Sequence, residues 1–144
     1  MADVIAVAVG CSQEDWTTNC PSEQRSVGVM FDHIAQVNAD VVRWINEFLG
    51  GRRVELTREA LTQRNADHAQ RAAVRPREET LADLKTSSAR TSEFLRSLTD
   101  EQLTVMQEWG FAGTQNVGWV AGVGLSHPAA HLKNIKDALG RSLP

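Results

Sequence analysis

Between Ser26 and Leu49 the residues Val27, Met30, Ile34, Val37, Val41, Trp44 and Phe48 recur every three or four positions. On an α-helix that spacing gathers them onto one stripe, so the segment must lie along an apolar partner surface. Gly50 and Gly51 end it, as glycines just past a helix do. A second helix is predicted from Arg77 to Leu98, where Leu81, Leu84, Ser88, Thr91, Leu95 and Leu98 keep a heptad-like rhythm. Two such helices imply a bundle. Ser88 and Thr91 stand where aliphatic residues belong. Either they bond back to their own helix, or they face a pocket at mid-bundle.

The chain from Gly50 to Pro76 is too long for a tight helical hairpin. It holds a weaker helix, with Thr57 as its N-cap and Leu61, Ala69 and Ala72 along it. A connection of this kind suits a crossover, after which consecutive long helices run parallel. Beyond Leu98, Thr99 is predicted to cap a short helix ending near Trp109. Gly110 to Gly113 reads as a loop, and a last helical region covers Gln115 to Leu139. Val4 to Val9 is β-branched and could form a strand by propensity. With no convincing partner strand, it is assigned to a short first helix.

At 144 residues, 42% hydrophobic and 23% charged, the chain reads as one globular domain, residues 1–144. A net charge of −3 with dispersed basic residues argues against a nucleic-acid partner. The nearest basic cluster, Gly50-Gly51-Arg52-Arg53, fits a loop. Cys11 and Cys20 are too few and too close for a disulfide framework; their number fits one bridge, but the expectation is a reducing compartment. Val4 to Cys11 superficially resembles a lipoprotein signal, but Asp3 stands where a positive region belongs. No apolar run is long enough for a membrane span. The expectation is a soluble, cytoplasmic protein without a membrane partner.

Two of the four histidines form His127-Pro128-Ala129-Ala130-His131. Four residues apart on a helix, they share a face about 6 Å apart and can reach one metal. His33 lies beside the apolar stripe, at helical spacing from Met30 and Val37. In an antiparallel pairing its height, about 10 Å from its helix start, matches His131, about 12 Å from the end of the last helix. The plainer alternative is a boundary His33 satisfied by backbone or water, with two solvated histidines near a helix end. No glutamate lies between His127 and His131, so the zinc-protease pattern His-Glu-x-x-His is absent. Pro128 either bends the helix near Gly122 and Gly124 or starts it, with His127 as the cap.

The stretch Arg25 to Ala35, preceded by Trp16, resembles the first histidine motif of the DinB/YfiT-like metalloenzyme superfamily. His127 to Ile135 resembles the second motif, and Leu98-Thr99-Asp100-Glu101-Gln102-Leu103 is similar to a link before the last helix. The likeness covers roughly residues 14 to 140. It implies an all-α, up-down-down-up four-helix bundle with one long crossover connection. It also implies a metal held by His33, His127 and His131, with an open face toward a pocket. The superfamily includes transferases and isomerases that use mycothiol, bacillithiol or glutathione, and the short N-terminal region departs from its pattern. His68 matches no such motif; Asn65 and His68, three apart on the weak crossover helix, face either the pocket or solvent, and solvent is the expectation.

Three neutral imidazoles suit a divalent transition metal (Zn, Ni or Fe) and disfavour Mg or Ca. The leading expectation is a metal-dependent S-transferase or isomerase acting on a small-molecule substrate, with a low-molecular-weight thiol as cosubstrate. The competing one is a non-catalytic helical binding or stress-associated module with a structural or vestigial metal. Neither Cys11 nor Cys20 is expected to be a nucleophile. A homodimer is expected from the short first helix and the four tryptophans.

Overall fold

The computed structural model describes residues 1–140. In chain order the elements are α1 (Ala2–Gly10), α2 (Gln13–Thr17), β1 (Asn19–Cys20), β2 (Arg25–Ser26), α3 (Val27–Leu49) and α4 (Arg58–Ala72). They continue with α5 (Arg77–Ser97), α6 (Asp100–Leu103), β3 (Met106–Trp109), β4 (Gly113–Asn116) and α7 (Val117–Leu139). The helix starts follow from local chemistry. The side chains of Ser12, Ser26, Thr57, Thr99 and Asn116 each accept a backbone N–H of the first turn that follows.

Cross-helix contacts fix the directions. Asp32 meets Thr80 and Asn38 meets Ser88, so α3 and α5 run parallel, as the crossover requires. His33 meets His127, whereas the later Val41 meets the earlier Gly124, so α7 runs antiparallel to α3. At the far end of α1, Arg77 donates to the carbonyls of Val9 and Cys11, while Met1 lies near Asn38. The order is therefore up-down-down-up. The fold is all-α, as expected, with two small β hairpins that the sequence reading did not include.

The short first helix has a structural consequence. At about 1.5 Å per residue, α1 reaches less than half the length of α3. One core, around Met30, Phe31, Ile34, Leu84 and Ile135, is closed by Val4 and Val7 of α1. The other, around Val41, Trp44, Ile45, Phe48 and Val120, has no such helix over it. There the β3–β4 hairpin inserts Trp109 edge-on to Trp44, with ring centroids 4.8 Å apart, and Val54 bridges to the same strand.

The hairpin corrects the expectation of a helix ending near Trp109. The capped helix stops at Leu103, and residues 106–109 pair antiparallel with 113–116. Accordingly α7 starts at Val117 rather than Gln115. The hydroxyls of Ser88 and Thr91 bond to α3 rather than back to their own helix. Thr91 Oγ1 donates to the Asn38 carbonyl at 2.9 Å, and Asn38 Nδ2 donates to Ser88 Oγ at 3.2 Å. Both pairs are buried, so these polar groups lock α5 to α3 where aliphatic side chains would only pack.

Trp16 is accommodated by a glycine on α3. A Cβ on Gly28 would fall 2.1 Å from Trp16 Nε1, so α3 is bare there to let the indole of α2 lie across it. The indole stacks on Phe31 at 5.5 Å between centroids. No helix among the described residues is long and apolar enough to cross a membrane.

Candidate metal centre

His33 projects from the buried side of α3, and His127 and His131 project from α7, where they are half-buried. Each offers one nitrogen, and the three nitrogens lie within 4.8 Å of one another. The Nε2 of His127 stands 3.1 Å from that of His33 and 2.9 Å from that of His131. Pro128 sits inside a continuous α7, buried, one residue past His127. Its missing N–H leaves the Gly124 carbonyl without its usual helical donor. Gly124 is also where α7 lies close against α3, since a Cβ there would meet Val41 at 3.0 Å. One turn further on, that approach brings His127 against His33.

An imidazole nitrogen carries either one proton or one in-plane lone pair. His127 Nε2 therefore cannot make two full hydrogen bonds, one to each neighbouring ring. Two nitrogens each about 2.1 Å from a shared ion would stand about 3.0 Å apart at a right angle and about 3.4 Å apart at a tetrahedral one. The contacts seen, 3.1 and 2.9 Å, lie at the lower end of that range. The protonation states agree. Burial first, and then the neighbouring histidines, push His33 down to about 3; burial and His131 push His127 down to about 4. His131 is lowered by burial but held up by Glu23. At neutral pH the cluster presents lone pairs rather than charges, and it can hold a metal ion.

Glu23 escaped the sequence reading. It sits in the turn between β1 and β2, where Gln24 takes φ 54° and both Glu23 and Gln24 donate N–H to the Cys20 carbonyl. That turn points the carboxylate at α7. Glu23 Oε1 accepts from His131 Nδ1 at 3.1 Å and from Asn134 Nδ2 at 2.7 Å. A carboxylate on Nδ1 turns the Nε2 lone pair of His131 inward and makes it more basic. Cys20 is buried, and burial together with Glu23 raises its thiol to about 11, which suits packing rather than nucleophilic attack.

His68 also departs from expectation. It is 6% exposed rather than solvated, while Asn65 is half-buried. Its Nε2 donates to Asp32 Oδ1 at 2.8 Å, and its ring lies 5.7 Å from that of His33. Asp32 Oδ2 accepts from Thr80 at 2.7 Å and from Arg75 at 2.9 Å. Burial alone would raise this carboxyl, but the bonds from His68 and Thr80 and the charge of Arg75 bring it down to about 2. Thus the fourth histidine is tied to a carboxylate beside the cluster and is not a member of it.

The family model of the DinB superfamily matches residues 2–135. The chain belongs to the DinB superfamily. Both histidine motifs and the link before the last helix fall inside the matched span, so the resemblance read from those motifs is upheld. Neither the curated proteins nor the solved structures contain a significant match to the chain.

Proposed function

We propose that the chain is a metal-dependent enzyme acting on a small-molecule substrate, with a low-molecular-weight thiol as cosubstrate. In this reading His33, His127 and His131 hold a divalent Zn, Ni or Fe ion, and at least one coordination position stays open. The observation that carries it is the double contact at His127 Nε2, which one shared ion explains and hydrogen bonds do not. No carboxylate or thiolate of the described residues joins the three nitrogens, so none of those residues closes the shell. A bound cation would supply acidity, favouring the thiolate over the thiol or polarising a carbonyl. The residues themselves position. His33 is fixed deep in α3, Glu23 orients His131, and the half-buried rings of α7 leave the approach on their side.

Substituting cobalt tests this directly. The visible spectrum is expected to shift when a small thiol or azide is added, because an open position takes up the new ligand. Chelation should cost modest stability without unfolding the bundle, since the apolar cores do not depend on the ion. A spectrum indifferent to every added ligand, with loss of fold on chelation, would instead make the site structural and the protein a helical binding module.

We further place the DinB-like domain over residues 1–144 and propose a cytoplasmic homodimer. Cys11 and Cys20 are both buried, and two cysteines in a chain of this length suit a reducing compartment. The tryptophans support the dimer less than their number suggests, because Trp16, Trp44 and Trp109 belong to the cores. What supports it is α7, which leaves Trp119 and Leu125 at 37% and 68% exposure. Light scattering at micromolar concentration should give twice the chain mass; the monomer mass would refute it.

A further inference from the structure

Asp32 and His33 are consecutive on α3, so their side chains leave the helix about 100° apart. His33 turns to α7. Asp32 opens a different face, continued by Ala35, Ala39 and Val42, which lines a cavity of about 650 Å³ closed by α4 and α5. That volume is ordinary for a small-molecule site, and the alanines and the valine give it an apolar wall.

The charged residues of the cavity are unequal in sign and in freedom. Three guanidiniums (Arg71, Arg75 and Arg90) face two carboxylates, Asp32 and Asp83, in a chain that is acidic overall. Arg75 is engaged with Asp32, Glu79 and Asp83. Asp32 is saturated by His68, Thr80 and Arg75. Arg71 on α4 and Arg90 on α5 have no carboxylate partner among the described residues, yet both line the space. His68 lines it too, buried, with its Nδ1 lacking a hydrogen bond among the described residues. The lining therefore offers free, forked donors beside an apolar wall, and its carboxylates are already occupied.

We infer that this cavity binds a small organic anion, a carboxylate or phosphate on a short apolar body, through Arg71 and Arg90. A planar guanidinium matches either oxyanion with paired N–H donors, which a lysine could not do. The apolar body lies against Ala35, Ala39 and Val42. The site is distinct from the histidine cluster but adjoins it, because the ring of His68 borders both the cavity and His33. The inference stands apart from the metal reading, since none of the residues that would hold the anion is a histidine of the cluster.

The test uses the full chain after chelation, titrated by calorimetry or amide chemical shifts with benzoate, phenyl phosphate, benzyl alcohol and benzylamine. The two anions are expected to bind, and the alcohol and the amine are not. The double variant Arg71→Ala/Arg90→Ala should weaken the anions about tenfold or more, for loss of charge-assisted bonds. Both side chains are exposed and unpaired among the described residues, so an unchanged circular dichroism spectrum is expected alongside. Arg58→Ala, which removes a guanidinium lying over Phe111 instead, should leave anion binding as it was. Equal binding of the alcohol or amine, full affinity in the double variant, or no anion bound at millimolar concentration would each overturn the inference. A chain that binds benzoate but never retains a metal would keep this site and lose the proposed enzyme.

Discussion

Replacing His131 with Ala is expected to take bound metal from stoichiometric to background, while His68→Ala leaves it in place. Both residues are histidines near His33, and both meet a carboxylate, so composition alone does not separate them. Geometry does. His131 directs Nε2 into the cluster and uses Nδ1 to hold Glu23, whereas His68 spends Nε2 on Asp32. Removing His131 leaves two protein ligands, too few to hold a transition metal against dialysis. Removing Glu23 should act more gently. Glu23→Gln is expected to weaken the metal about 10–100-fold by loosening the ring it orients. Elemental analysis of untagged protein after dialysis checks all three variants. Equal metal in the His131 and His68 variants would dismiss the assignment.

Much of the fold was legible because it repeats. The stripe from Val27 to Phe48 fixes α3 by periodicity, and Gly50 and Thr57 mark where helices stop and start. The His-x-x-x-His pair needed only the pitch of a helix. The β3–β4 hairpin did not repeat anything. After the capping box at Thr99 and Gln102, the residues through Trp109 are as compatible with helix as with strand. What decides is tertiary: Trp109 is wanted under Trp44, in the half of the bundle that α1 does not reach.

The site residues missed by sequence share a cause. Glu23 acts through a turn between strands two residues long, too short to leave a pattern. His68 lies on α4, a helix polar nearly all round, where Leu61 and Ala72 make too thin an apolar stripe to announce a buried histidine. Its burial depends on Asp32, Arg75 and Thr80, which come from separate parts of the chain. One signal was available. Asn38 is polar in the middle of α3, as Ser88 and Thr91 are in the middle of α5. Polar positions matched in height on two parallel helices suggest a bond between them.

That same logic makes Asp32 the residue whose loss should hurt folding most without touching metal. Its carboxylate is 7% exposed and ties three segments together: α3 to His68 of α4, to Arg75 before α5, and to Thr80 within it. Asp32→Ala strands the His68 and Thr80 donors in a buried place, each costing about 1–3 kcal/mol. Arg75 loses less, being 29% exposed and still paired with Glu79 and Asp83. The expected total is about 3 kcal/mol, read as a lower urea midpoint at unchanged slope. A domain of ordinary stability survives this and keeps its metal, because His33, His127 and His131 are untouched. The double variant Asp32→Ala/His68→Ala should then cost clearly less than the two single losses added. Once the carboxylate is gone, removing the ring also removes a stranded donor. Additive losses, each under about 1 kcal/mol, would show the network to be a bystander and would leave the ion pair of Arg64 with Asp40 as the polar anchor of α4.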